Sequence, residues 1–233
     1  MVRTCLLCLF LFGYGRLLAQ DVGRQQMVDN STVDYLRIAG NQSVIYYGNL
    51  QEGLPRTTNH PYLKDVQYAK ARLSYLRLIY PEVMLRLDLS RNELVILTPD
   101  FRNIVLFPEN VDFAELHDYK IVYLRRDSLP GCPSSGYYYL LHSGKAKVLE
   151  KQTASIMVDS NHQYYYIIAT KFYLLHDGVY YTIRNKRGLL KVLQPYKKEL
   201  RRFISTHQLQ FRNDPEKLIT QTVIEYEKLS GIQ

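Results

Sequence analysis

Tryptophan is absent from this chain and cysteine is scarce, with only Cys5, Cys8 and Cys132. The first two lie in a leader-type segment, so Cys132 is left alone in the mature chain and an internal disulfide framework is excluded. Stability must then come from an apolar core, which a chain of this length can bury. No apolar run is long enough to span a bilayer as a helix. Glycines are scattered singly, so no phosphate-cradling loop is present. The stretch GCPSSG misses the G-x-S-x-G elbow, because neither Ser134 nor Ser135 has glycine two residues away on both sides. His60, His117, His142, His162, His176 and His207 show no H-E-x-x-H or paired zinc spacing. Cys132 sits between prolines with no histidine near in sequence, the setting of a free loop thiol rather than an activated one. In PENVDFAELHD, Glu109, Asp112, Glu115, His117 and Asp118 lack the glycine turn and oxygen spacing of a calcium loop and read as a solvated strand connection. No catalytic residue, metal ligand or cofactor is predicted.

What is present begins with a leader. Residues 1–19 combine Arg3, an apolar run from Cys5 to Phe12, and Leu17 and Ala19 at the positions a signal peptidase reads. Export is expected, to the periplasm, the outer-membrane region or the medium, with a mature chain from about Gln20 and no membrane span in it. Removing Arg3 and Arg16 leaves 28 basic against 22 acidic residues, a net +6.

Residues 20–42 are polar and weakly patterned and read as a flexible lead-in, with one short ordered piece near Tyr35 to Ile38. Residues 43–193 carry the period of two. In VMLRLDLSRNELVIL, Val83, Leu85, Leu87 and Leu89 alternate with Met84, Arg86 and Asp88, then Ser90 to Asn92 break the pattern, and Glu93 to Leu97 resume it more densely: a hairpin. Further strands are predicted at Ser43 to Tyr47, at Arg72 to Tyr80 with a bulge or corner near Leu76, at Ile104 to Phe107, around Phe113, and at Lys120 to Leu124, as an up-and-down series. Ser143 with Gly144, and Asp177 with Gly178, close two more hairpins, and Tyr164 to Ala169 forms a separate strand. The intervening loop GNLQEGLPRTTNHPYLKD is long enough to be functional or mobile. Tyrosine outnumbers phenylalanine 21 to 8; its place inside strand patterns points to sheet faces rather than to a stacking platform.

At Pro195 the period becomes helical. Tyr196, Leu200, Phe203, Ile204 and His207 share one face, and Lys197, Lys198, Arg201 and Arg202 the other. A second helix is predicted from an Asp214 cap and Pro215, burying Leu218, Ile219, Thr222, Val223, Tyr226 and Leu229. The expected fold is α+β: mainly antiparallel hairpins or a meander, with two C-terminal helices (residues 194–233) packed on the sheet.

The phrases NHPYLKD, VMLRLDLSRNELVIL, FYLLHDGVYYTIRNKRGLLKVL and PYKKELRRFI together resemble a group of exported β-rich proteins of Bacteroidota-type Gram-negative bacteria, a group with no established activity. The resemblance covers most of the mature chain and implies an envelope location and this architecture. It carries no site residues over.

Function is then read from charge. Residues 184–202 hold eight basic side chains against Glu199 alone. Export disfavours nucleic acid as the partner and leaves anionic surface polymers, lipid head groups or an acidic envelope protein. The expected function is non-catalytic binding, with Lys197, Lys198, Arg201 and Arg202 as the binding residues. The alternative is a periplasmic or secreted hydrolase whose site forms where His60 and Asp65 of the long loop meet Ser134 or Ser135.

Overall fold

A computed structural model describes residues 31, 34–35, 38–127 and 129–231. The signal-type segment and most of the lead-in lie outside the described residues; within the lead-in the backbone is helical at Ser31, Asp34, Tyr35, Ile38 and Ala39.

Eleven antiparallel strands form one sheet: β1 (Asn49–Leu50), β2 (Ala69–Tyr75), β3 (Leu78–Asp88), β4 (Glu93–Leu97), β5 (Asn103–Val105), β6 (Val111–Leu116), β7 (Tyr119–Leu124), β8 (Gly136–Ser143), β9 (Lys147–Val158), β10 (Tyr164–His176) and β11 (Val179–Ile183). Three helices follow: α1 (Lys186–Val192), α2 (Lys197–Thr206) and α3 (Pro215–Leu229). The α+β class and the helices packed on an antiparallel sheet are as the sequence implies. No helix among the described residues is long and apolar enough to cross a membrane.

The strand order is β1-β5-β4-β3-β2-β6-β7-β8-β9-β10-β11. From β6 onward the sheet is the expected up-and-down series, but the chain between β5 and β6 jumps back over three strands so that β6 pairs with β2. The central hairpin is as predicted, with Leu85 opposite Ile96 and Leu87 opposite Leu94. The corner near Leu76 is a full hairpin turn, in which Leu76 and Arg77 both take positive φ; Pro81 consequently lies inside β3 instead of opening it. Ser43 to Tyr47 is not a strand. Val44–Tyr46 form a single 3-10 turn that drives Ile45 into the core, a case of tertiary burial overriding the β propensity of SVIYY. Tyr164 to His176 is one strand, not two.

The sheet curls strongly. Ala154 N donates to Leu89 O at 3.1 Å, although β9 stands five places from β3 in the strand order. The concave interior this makes is filled by Leu73, Leu85, Leu94, Ile96, Leu116 and Ile121, together with Tyr75, Tyr80, Tyr137 and Tyr139, all buried. A second interior lies between β8–β11 and the helices, where Val148, Leu174, Leu190, Leu200, Leu218 and Val223 meet. On the opposite face of those strands the segment after β7 crosses over Tyr138, Leu149 and Tyr180, and Cys132 packs into this small cluster. Burial pushes the Cys132 thiol above its ordinary range, so it is part of the packing and poorly suited to nucleophilic work.

Two of the three helices start at a capping side chain, whereas α2 begins at Tyr196 without one. The Asp214 side chain accepts from Lys217 N at 2.9 Å, with Pro215 behind it in the first turn. Asn185 does the same for α1, accepting from Gly188 N at 2.8 Å. α3 is tied to the β8–β9 turn by Glu227, which accepts from Ala146 N at 2.8 Å and pairs with His142 Nε2 at 2.9 Å. A Cβ at Gly144 would stand 2.4 Å from that carboxylate, so glycine is needed in this turn for clearance.

Candidate functional site

The basic run folds into α1 and α2, two short helices that turn their leucines inward. Leu189, Leu190, Leu200 and Ile204 are buried, and the period of the helix then obliges the intervening positions to face out. Arg184, Lys186, Arg187, Lys191, Lys198, Arg201 and Arg202 are exposed and Lys197 is half-buried. Among the described residues none of these eight takes part in an ion pair; elsewhere Lys64, Lys70, Arg72, Arg91, Arg102 and Lys228 are each paired with a carboxylate, while others such as Arg56, Lys120, Arg125 and Lys145 are not.

Their arrangement works against the helix that carries them. Lys197 and Lys198 open the first turn of α2, where the positive end of the helix dipole disfavours cations by about 0.3–1 kcal/mol each. Lys197 with Arg201, and Lys198 with Arg202, are like-charge pairs four residues apart, each costing roughly 0.2–0.5 kcal/mol. Only Glu199, also in the first turn, opposes them. The four sequence-predicted binding residues therefore lie on one outer face with Glu199 as the single acid of the helix beside them, a local frustration of the kind found where function overrides stability.

Beside this face a cleft of about 470 Å³ opens at the edge of β10 and β11, lined by Lys171, Arg184, Thr170, Thr182 and Phe211. Its size falls in the range of small-ligand sites, and Arg184 belongs to both the cleft and the basic run. The cleft leaves no mark in the sequence, because Phe211 reaches it from the α2–α3 connection.

The residues proposed for a hydrolase do not converge. His60 stacks on Tyr62 and its Nδ1 accepts from Tyr62 N at 3.3 Å. Asp65 accepts from Gln67 N, Ser135 Oγ from Arg126 N, and the Ser134 carbonyl from the Tyr138 hydroxyl. Among the described residues no hydrogen bond or ion pair joins the His60–Asp65 loop to either serine. The acidic patch is likewise dispersed: Asp112 accepts from Ser74 Oγ at 2.7 Å, Glu115 pairs with Arg72 and Asp118 with Lys64. Among the described residues no group of three or more His, Cys, Asp and Glu is placed to hold a metal.

One polar constellation escaped the sequence reading. Arg86, on the outer face of β3, is sandwiched between the rings of Tyr62 and Tyr68 at 4.0 and 4.3 Å and donates to Gln51 Oε1 at 2.9 Å. Gln51 in turn donates to Asp88, which is fully buried and also accepts from the Ser90 and Arg91 amides and from Ser90 Oγ. Burial pushes the Tyr68 hydroxyl up to about 12. Every member of this group either closes the β3–β4 turn or straps the long loop to β3, where Leu63 N and Leu89 N complete the attachment by donating to Leu87 O and Pro61 O. The loop is thus anchored, and the group acts in folding rather than as a ligand site. Polar residues alternating along a strand with both faces covered were its only trace in the sequence.

Comparison with protein-family models, with curated proteins and with solved structures finds no match.

Proposed function

We propose that this is an exported, non-catalytic envelope protein that binds an anionic partner, a surface polymer or lipid head groups, through the outer face of α1 and α2. The observation that carries this reading is the set of eight cations that form no ion pair among the described residues, four of them clustered on one face of α2, where they repel one another and Lys197 and Lys198 also oppose the helix dipole. A face kept only for solubility gains as much from mixed charge, without that cost. The leader-type segment 1–19 and the resemblance to exported β-rich proteins support the address. With the apolar side of each helix fixed in the core, the cations are held on a rigid platform, which lowers the ordering cost of binding.

The test is charge reversal of Lys197, Lys198, Arg201 and Arg202 to Glu. Retention of the parent on anionic vesicles or lipopolysaccharide should fall steeply as salt rises, since the screening length is about 8 Å at physiological ionic strength. The variant should lose that retention, while its melting temperature holds or rises, because acids suit the first turn of α2. Equal, salt-dependent retention of parent and variant would sink the proposal.

A further inference from the structure

An antiparallel sheet must deal with its edges, because a row of unpaired amides and carbonyls is a template for another chain. This protein blunts four of them by recognisable means. β1 is two residues long. The part of β3 that extends beyond β4 contains Pro81. β11 is capped by the β7–β8 loop, with Tyr180 N donating to Pro130 O and Gly131 pressed so close to Tyr180 O that no side chain fits there. The stretch of β10 that extends beyond β11 is covered by the long loop: Thr58 N donates to Tyr164 O, and the Asn59 side chain bonds both Tyr166 N and Tyr166 O.

The overhang of β9 has no such device. β8 covers β9 only through Glu150, and Ala154 N is taken by Leu89 O. Because bonding direction alternates along a strand, Ile156 and Val158 also point their backbone groups outward, and among the described residues these have no backbone partner on that side. The segment Gln152 to Val158 contains no charged residue and no proline or glycine. On both faces of the β9–β10 ribbon apolar side chains stand in solvent: Ile156, Met157, Val158, Tyr164, Ile167 and Ile168 are each 44–50% exposed. The turn at its tip is polar and self-bonded, Asp159 Oδ1 accepting from the Asn161 and Gln163 amides, which argues against tip-first insertion into lipid.

We propose that a second copy of this chain occupies this edge, the two β9 overhangs pairing antiparallel about a two-fold axis at Met157. In that register Ile156 faces Val158 of the second copy and makes about four backbone hydrogen bonds across the axis. Asp159 falls opposite Ser155, so the two acids do not meet. The result is a continuous four-stranded ribbon, β10-β9-β9-β10, with apolar rows on both faces. Self-pairing suits a protein of net positive charge because the contacting segment is neutral. The area is small for a dimer interface, so association in the micromolar range is expected.

Sedimentation equilibrium of the full chain over roughly 1–200 μM should show a reversible monomer–dimer equilibrium. Substituting Ile156→Lys with Val158→Lys should abolish it, while circular dichroism and melting temperature stay as in the parent, since both side chains are exposed. Met157 lies at a non-hydrogen-bonded pair about 4.5 Å across the axis, within disulfide reach, so Met157→Cys should give an oxidised dimer whose linked peptide joins position 157 to itself. A parent that stays monomeric throughout, a dimer that survives the double Lys substitution, or a Met157→Cys chain that does not cross-link at that position overturns the proposal.

Discussion

The two interiors of this molecule are filled in different ways. Inside the curled half of the sheet, Tyr75 of β2, Tyr80 of β3 and Tyr137 and Tyr139 of β8 are buried among the aliphatic side chains. Under the helices the buried filling is mainly leucine, isoleucine and valine, with Phe172 and Tyr226 as its buried aromatics. The reason is geometric. A sheet closing on itself leaves a wide gap that only long rigid side chains bridge, whereas a helix can settle onto a sheet until short aliphatic chains interdigitate. The tyrosine solution has a cost that the aliphatic one does not: the hydroxyls of Tyr80, Tyr137 and Tyr139 are buried and find no hydrogen-bond partner among the described residues. Desolvation accordingly pushes the Tyr80 hydroxyl up to about 12 and those of Tyr137 and Tyr139 further still.

The difference predicts opposite responses to truncation. Leu218→Ala in the aliphatic interior removes a fully buried side chain and should lower unfolding stability by about 2–5 kcal/mol in urea titrations. Tyr137→Phe or Tyr139→Phe, by contrast, deletes an unsatisfied polar atom and leaves the ring, so stability should hold or rise by up to about 1 kcal/mol; a clear loss would mean that these hydroxyls have partners and that the contrast between the interiors fails. The seam between the interiors gives the smallest and most diagnostic effect. Glu150, 3% exposed, stands there facing Tyr139, and burial holds its carboxyl above the ordinary range, with Glu216 adding to the shift. The folded state then binds the proton more tightly than the unfolded chain, so stability declines as pH rises through the folded pKa. Glu150→Gln should remove that decline, giving a melting temperature equal to the parent near pH 4 and higher at pH 7.

How much of this was legible depended on how local the cause was. The α3 boundaries followed from Asp214, Pro215 and the spacing of Leu218, Thr222 and Tyr226, all within one segment. α1 was missed because its seven residues include Gly188 and read as a charge run, though Asn185 was a usable cap signal. Ile45 was assigned to a strand by its neighbours' β propensity, while its position is decided by a core built from residues far along the chain. The pairing of β2 with β6 left no mark in either strand. Of the candidate site, the cations were visible as composition. That none of them forms an ion pair among the described residues, and that Phe211 and Lys171 share a cleft with Arg184, are facts of packing.

β9, like its neighbours β8 and β10, serves every interior: Val148 lies under the helices, Leu149 beneath the loop that carries Cys132, and Ala154 within the curled sheet. Neither half can therefore open without withdrawing a wall from the other. Amide hydrogens of the covered part of β9, from Val148 to Lys151, should be among the slowest in the molecule to exchange, leaving only at the global unfolding free energy, while those of α1 and of β1 exchange through local fraying. A chain that looks divisible into a sheet and a helical tail is in this respect a single cooperative unit, and a β9 core substitution such as Val148→Ala should accelerate exchange in both halves together.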